Sequence, residues 1–396
     1  MKLSEELKWR GFVNQTTFKD LKDLDATKHT FYWGVDPSAD SMQVGNLAAA
    51  MMVRRFIDHG YKAILLIGGA TGMIGDPDGK TEERNLLTLS QIAKNKANIA
   101  AQYRQIFADK PFKIVDNYDW FKGIGYLNFL RDIGKHTSMT QMLDRDFVQN
   151  RIGKGGKGIS YAEFSYSLIQ GYDFLHLFRK FGVSLQVCGA DQWGNSVTGV
   201  DLIRKLEAEQ AHVYSCPLVI NKTTGKKFGK SEAGAVWLDS KKTSIFDFYQ
   251  FWLGAGDADV EDYLKIFTLL DKNHIDLVMN KFKKIPAERL AQKTLAYEVT
   301  KLVHGKKQAD KVVEATAELF SGEISEATPT VSVPTGSQDV IDLLVKSGLA
   351  ESKTVARRLL AQGGIKLNQK KIDSQQIQVT KGDLLQAGKR RFVKII

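Results

Sequence analysis

Tyr166, Gln170 and Asp173 stand at i, i+4 and i+7 in "YAEFSYSLIQGYDFLHLF", so on a helix they form one polar stripe. Phe164, Leu168, Phe174, Leu175 and Phe178 give the same segment a broad apolar face. A helix apolar around most of its circumference is buried. An unmet buried polar group costs about 1–3 kcal/mol. The stripe therefore needs either an internal hydrogen-bond network or a polar ligand, and the pattern leaves both open. A second candidate is the turn "DPSADSMQVGN", 36 to 46, between the apolar run "TFYWGV" and the helical pattern "LAAAMMVRRFIDHG". Such a strand–turn–helix junction suits phosphate. A third, "GGATGMIGDPDGKTEER", also follows an apolar run. Its "GDPDGKT" is one residue too short for a P-loop, which needs four residues between Gly and Gly-Lys. Asp76 in that stretch offers a carboxylate to an amine; Lys80 and Arg84 offer cations to phosphate or to solvent. Finally, "GKKFGKSEAG", 225 to 234, sets Lys227 and Lys230 three apart beside Ser231. Paired ammonium groups on a Gly-containing loop can close on a triphosphate and then release pyrophosphate. Taken alone, such a loop is an ordinary surface turn.

The elements that must position these groups read as α/β over residues 1–240. "TFYWGV" and "AILLIGG" are short apolar runs ending near glycine, and "GVSLQVCGADQWGN" repeats the plan. Buried parallel strands with crossover helices read this way. Ligands bind outside the carboxyl ends of such strands, which gathers the Gly-rich turns into one cleft. Trp33 is expected to face the same turn as Tyr32. Residues 241–325 read as helical throughout. "EISEATPTVSVPTGS" holds two prolines with many Ser and Thr, and predicts a linker over 326–336. Beyond it, 337–396 reads as two short helices, "DVIDLLVKSGL" and "SKTVARRLLAQGG", then a hairpin, "IKLNQKKI".

A net charge of +11 favours a polyanionic partner. Residues 331 to 396 hold twelve Lys and Arg against five Asp and Glu, a net of +7. That concentration marks the last module as a basic RNA-binding one. No run of about 18 apolar residues exists, so no membrane span is expected. The N-terminus, "MKLSEELKWRGF", is not a secretory signal. Cys188 and Cys216 make no metal-type spacing, so neither zinc nor any other protein-bound metal is expected, and a reduced cytoplasmic setting is.

Taken together, these stretches closely resemble the bacterial tyrosyl-tRNA synthetases of the class I aminoacyl-tRNA synthetase family. "YWGVDPSADSMQVGN", "GGATGMIGDPDGK", "EFSYSLIQGYDF", "QVCGADQWGN" and "KFGKS" occur in the family's order and spacing, and "RGFVNQTT" fits near the start. The match runs essentially from end to end. It implies a Rossmann-like catalytic domain with an inserted dimer-interface segment at about 100–165. An α-helical anticodon-binding domain at 241–325 would follow, then a small α+β RNA-binding domain resembling a ribosomal small-subunit protein.

The resemblance also implies roles. Tyr32 and Asp173 would bond the phenolic hydroxyl of tyrosine, and Asp76, Tyr166 and Gln170 its ammonium. Gln192 would place the carboxylate, with Asp36 behind the pocket. Gly45, Asn46, Gly189 and Asp191 would cradle ribose and adenine. Ser38, Gln43, Lys80, Arg84, Lys227, Lys230 and Ser231 would surround the triphosphate, with Lys230 serving ATP binding as well. The implied partners are L-tyrosine, ATP with Mg2+, tRNA(Tyr) and a second copy of the chain. The first class I signature is normally His-x-Gly-His, whereas Gln43 and Asn46 stand here. Both amides keep an NH2 donor, although neither can be cationic. A tryptophan-specific relative would share fold and signatures, but an indole has no hydroxyl for the Tyr32 and Asp173 pair. A non-catalytic RNA-binding protein on a synthetase scaffold is the rival of a different class.

Overall fold

The computed structural model describes Met1 to Ile396 apart from residues 78–85, 154, 223–224, 226–227, 229, 232–233, 322–329 and 389–390, with backbone alone at 146–147, 230–231 and 319–321. The chain divides into two compact units, Met1–Phe228 with Lys265–Phe267, and Gly229–Leu264 with Thr268–Ile396.

The first unit contains β1 (Gln15–Thr16), β2 (Thr30–Val35), β3 (Lys62–Ile67), β4 (Phe112–Asp116), β5 (Val183–Gly189) and β6 (His212–Cys216). They form a six-stranded sheet in the order β1-β6-β5-β2-β3-β4. Edge strand β1 is antiparallel to β6 and all other pairs are parallel. Phe31, Leu65, Leu185 and Val213 are wholly buried. Inner parallel strands covered on both faces have no solvent side, hence apolar runs instead of alternation. The chain lays β3 and β4 to one side of β2, then returns to lay β5 and β6 on the other. The crevice at that reversal, outside the carboxyl ends of β2 and β5, is where such sheets bind ligands.

Strand β4 falls inside the segment 100–165 expected to be an insertion. It pairs with β3 from Ala63↔Phe112 to Ile67↔Asp116, so it belongs to the catalytic sheet. Its residues are only partly buried, as an edge strand's are, and "FKIVD" therefore lacks the apolar run of an inner strand. The expected linker 326–336 changes as well. Thr330–Val331 is a strand paired in parallel with Lys394–Ile395, and Val333 is buried in the same core.

Helices α1 (Leu3–Arg10), α2 (Val44–Asp58), α3 (Leu89–Ile106), α4 (Tyr161–Phe181) and α5 (Trp193–Glu207) surround the sheet. Ser160 caps α4 by accepting from the backbone N–H of Glu163 at 3.2 Å, and Gly182 ends it at φ 64. Two glycines let α4 and α5 approach closely. A Cβ on Gly171 would meet Thr198 at 2.9 Å, and one on Gly199 would meet Phe174 at 2.7 Å. This contact fixes the rotation of α4, and so the direction in which its polar stripe points.

In the second unit, α6 (Ile245–Leu253) and α7 (Leu290–His304) carry the helical part, with Phe248, Trp252, Leu295 and Val299 wholly or almost wholly buried. The C-terminal module packs helices Val340–Lys346 and Lys353–Ala361 against a five-stranded sheet around Leu344, Ile365, Val379 and Ile395. Its hairpin pairs Ile365–Leu367 with Lys370–Lys371, as the sequence suggested.

His304 ends α7 with its Nε2 buried and unpartnered, edge-on to Phe248 at 4.8 Å. Burial pushes its imidazole down from 6.5 to about 4, against the pull of Asp239. The folded unit thus keeps it neutral while an unfolded chain protonates it, so stability falls as pH drops from 6.5 towards 4. His304→Phe should flatten that fall. Urea midpoints of both proteins at pH 7 and pH 5 test this; an equal loss in the two excludes His304 as the cause.

Candidate active site

Asp173 lies on α4 with 2 % of its surface exposed. Its two oxygens accept from Trp120 Nε1 at 2.9 Å and from Asn117 Nδ2 at 3.1 Å. Burial drives this carboxyl well above the usual carboxylate range; the two donors oppose the shift, and Asp36 and Asp116 add to it. Tyr32, on β2, packs its ring 5.3 Å from Phe174. Its hydroxyl is fully buried and has no hydrogen-bond partner. Burial raises its pKa far above the phenol range, followed by the field of Asp173 and then of Cys188. A permanently protonated hydroxyl and an expensive carboxylate thus sit near each other without bonding. A ligand hydroxyl that accepts from one and donates to the other satisfies both.

One helical turn earlier on α4, Gln170 Oε1 is buried and unpartnered. Tyr166 donates its hydroxyl to Asp36 Oδ2 at 2.7 Å. Asp36 also accepts from Thr71 Oγ1 at 2.6 Å. Burial raises the Tyr166 hydroxyl strongly, and Asp36, Asp76 and Asp173 raise it further, so three carboxylates act on one phenol. That density of negative charge suits an ammonium ion. Asp76 accepts from Gln192 Nε2 at 2.6 Å, which joins the turn after β3 to the one after β5. The tyrosine set inferred from sequence, Tyr32, Asp36, Asp76, Tyr166, Gln170, Asp173 and Gln192, is therefore brought to the carboxyl ends of β2, β3 and β5.

At the turn after β2, expected from sequence to meet the nucleotide, Gln43 precedes the first turn of α2 and donates its backbone N–H to Asn46 Oδ1 at 3.0 Å. A backbone N–H needs an acceptor, so Asn46's oxygen belongs to the cap. Gly45 is exposed, and a Cβ there would touch nothing within 4 Å. Protein packing leaves that space open. A Cβ on Gly189 would meet Asp191 Oδ1 at 2.6 Å, so a side chain there would displace the exposed Asp191 carboxylate. Ser38 and Asp191 are exposed. Lys80, Arg84 and Lys227 lie outside the described residues. Lys230 and Ser231 form a short strand paired with Gly234–Ala235 in the second unit, and their side chains are likewise not described.

A family model described as tRNA synthetases class I (W and Y) matches residues 25–321. The chain belongs to that family. A second model, for the tyrosine–tRNA ligase SYY-like C-terminal domain, matches residues 318–393. A tyrosine–tRNA ligase from Staphylococcus haemolyticus is 40% identical, over 99% of this chain and 98% of that protein. One from Geobacillus stearothermophilus is 44% identical, over 93% and 91%. Among solved structures, a C-terminally truncated mitochondrial tyrosyl-tRNA synthetase from Aspergillus nidulans superposes with a TM-score of 0.73 at 31% identity, over 81% of this chain and 94% of that one.

Sequence reasoning missed Asn117 and Trp120, the two groups that hold Asp173. Asn117 directly follows β4, as Asp36 directly follows β2, so the strand-end rule would have found it had "FKIVD" been read as a strand. Trp33 departs from expectation: adjacent strand residues point to opposite faces, and its ring packs on Tyr103 of α3 at 5.4 Å, away from Tyr32.

The orphaned hydroxyl gives a test with opposing signs. Tyr32→Phe removes a buried unsatisfied group, which should stabilise the free protein by about 1 kcal/mol. The same change should weaken tyrosine binding. Thermal midpoints with and without tyrosine measure both effects; a variant that is less stable and binds tyrosine unchanged would refute the assignment.

Proposed function

We infer that the pocket binds L-tyrosine with its phenol between Tyr32 and Asp173, for the reaction of a tyrosine–tRNA ligase. That reaction joins tyrosine to ATP as tyrosyl-AMP with release of pyrophosphate, then moves the tyrosyl group to the 3′ end of tRNA(Tyr). The observation that carries the reading is the buried Tyr32 hydroxyl without a partner beside the buried Asp173 carboxylate. Family membership and 40–44% identity over nearly the whole chain support it.

The roles follow from chemistry. Asp76, Tyr166 and Gln170 receive the ammonium; Tyr166 can accept from it while still donating to Asp36. Gln192 orients the carboxylate, whose oxygen attacks the α-phosphorus in line. The new O–P bond forms as the bond to the β-phosphate oxygen breaks, and pyrophosphate leaves with its Mg2+. A carboxylate is already nucleophilic, so the protein supplies position and charge stabilisation. Ser38, Gln43, Lys80, Arg84, Lys227, Lys230 and Ser231 act on the phosphates. Gly45, Asn46, Gly189 and Asp191 hold the nucleoside. In the second step a terminal ribose hydroxyl attacks the tyrosyl carbonyl and AMP departs.

The basic C-terminal module and the helical region would bind tRNA. A homodimer is favoured by the apolar side chains that Tyr126, Leu127, Met139, Ile152 and Tyr161 expose between residues 118 and 161. No helix among the described residues is long and apolar enough to cross a membrane. Cys188 and Cys216 are free and buried, which suits the cytoplasm.

Tyrosine-dependent ATP–pyrophosphate exchange tests the reading. Tyrosine should support exchange while phenylalanine and tryptophan do not. No exchange with any amino acid, in folded protein, would favour an RNA-binding protein on a synthetase scaffold. Gln43→Ala should lower the adenylation rate by about 10²–10³ with tyrosine KM nearly unchanged; an unaltered rate would remove Gln43 from the phosphate site. Sedimentation should give twice the 44.3 kDa chain mass, and a monomer would contradict the dimer.

A further inference from the structure

Gln192 can serve a substrate carboxylate only if its NH2 end faces the pocket, because its oxygen would repel the negative charge. Its Nε2 does face inward, donating to Asp76 Oδ2 at 2.6 Å. Asp76 does not fix this orientation by itself, however, since the same carboxylate also receives the incoming ammonium. The other end of Gln192 is held separately. Its Oε1 accepts from Asn195 Nδ2 at 3.4 Å. Asn195 is buried, and its own Oδ1 accepts from Arg145 Nη1 at 2.7 Å. Arg145 Nη2 also donates to the Gly194 carbonyl at 2.6 Å and to Thr198 Oγ1 at 2.8 Å, which locks the guanidinium against the start of α5.

The polarity of this chain has one solution. A guanidinium only donates. It fixes the oxygen of Asn195 outward, which turns the Asn195 NH2 towards Gln192. That fixes the oxygen of Gln192 outward and its NH2 into the pocket. From Arg145 to Asp76 every group donates in the same direction.

The geometry points to Arg145 and Asn195 as positioning residues that set the amide orientation of Gln192, and through it the placement of the substrate carboxylate for attack on ATP. This inference rests on the tyrosine-activation reading above. Neither residue reaches the substrate itself; each acts by allowing one orientation of the next amide. Arg145 borders a cavity of about 270 Å³ between residues 136–145 and α5, so a changed side chain there has room.

The test reverses the polarity without emptying the site. Asn195→Asp still accepts from Arg145 but cannot donate to Gln192, and it attracts the Gln192 NH2 out of the pocket. Arg145→Lys keeps a donor, Arg145→Met removes it and Arg145→Glu inverts it. Adenylation kcat should fall about ten-fold or more in Asn195→Asp, within the range for a misdirected transition-state donor. Along the Arg145 series it should fall in the order Lys, Met, Glu, with Arg145→Lys close to wild type. Equilibrium tyrosine affinity, set by the phenol and ammonium contacts, should change by less than about three-fold in all four. A merely structural role would instead lower rate and thermal midpoint together and show no rescue by lysine. Wild-type exchange is the control. Exchange in wild type with equal rates in Asn195→Asp and Arg145→Glu overturns the relay alone. No tyrosine-dependent exchange in wild type overturns the functional reading and the relay with it.

Discussion

A carboxylate in a dry place has to be surrounded by donors, and in the first unit Asp173 sets that requirement. Two neutral groups meet it, and both come from the stretch just after β4. Asn117 does more than donate to Asp173: it also donates to Thr71 Oγ1 at 3.1 Å and accepts from the Ala70 backbone N–H at 2.6 Å. Thr71 donates to Asp36, and Tyr166 donates to Asp36 from the same helix that carries Asp173. Asp173, Asn117, Thr71, Asp36 and Tyr166 thus close a ring through the ends of β2, β3 and β4 and back to α4. Losing one member leaves a buried acceptor or donor unpaired on each side, at about 1–3 kcal/mol per group. The ring explains why an edge strand with little apolar surface is retained: its end delivers Asn117.

The ring is complete within the protein, but the pocket it encloses is not. The Tyr32 hydroxyl and Gln170 Oε1 remain buried and unpartnered inside it. Free energy withheld from the empty protein is recovered when a ligand supplies the missing groups, so binding and recognition arise from the same atoms. Sites built to bond a substrate hydroxyl reject the analogue lacking it because their own groups go unpaired, a rule for which tyrosyl-tRNA synthetases are the standard example. The proposed phosphate side would work differently. There the amides of Gln43 and Asn46 stand where imidazoles are usual, and the capping bond from Gln43 N–H to Asn46 shows how one such amide is oriented.

The sequence made the inner strands, the three turns and the α4 stripe readable because each rests on a strong local rule. Apolar runs ending in glycine mark buried parallel strands, and i, i+4, i+7 marks a helix face. Tyr166, Gln170 and Asp173 do share that face. Of the two readings left open for the stripe, the internal network is seen at Tyr166 and Asp173, while Gln170 Oε1 is buried without a partner. What was not readable depends on tertiary contact. Edge strand β4 has a weak pattern because only part of its surface is buried. Asn117 and Trp120 have no motif of their own. Trp33 shows the cost of treating neighbours along a strand as neighbours in space. Arg145 lies 47 positions before Gln192 in the chain, and only folding brings its guanidinium to Asn195.

The central claim is that unpaired buried polar atoms at Tyr32, beside Asp173, are made to receive a phenolic hydroxyl. Calorimetric titration of the wild-type protein with tyrosine and with phenylalanine, without ATP, tests it most directly. Leaving both groups unpaired should weaken phenylalanine binding by about a hundred-fold or more relative to tyrosine. Equal affinities for the two amino acids would contradict the account.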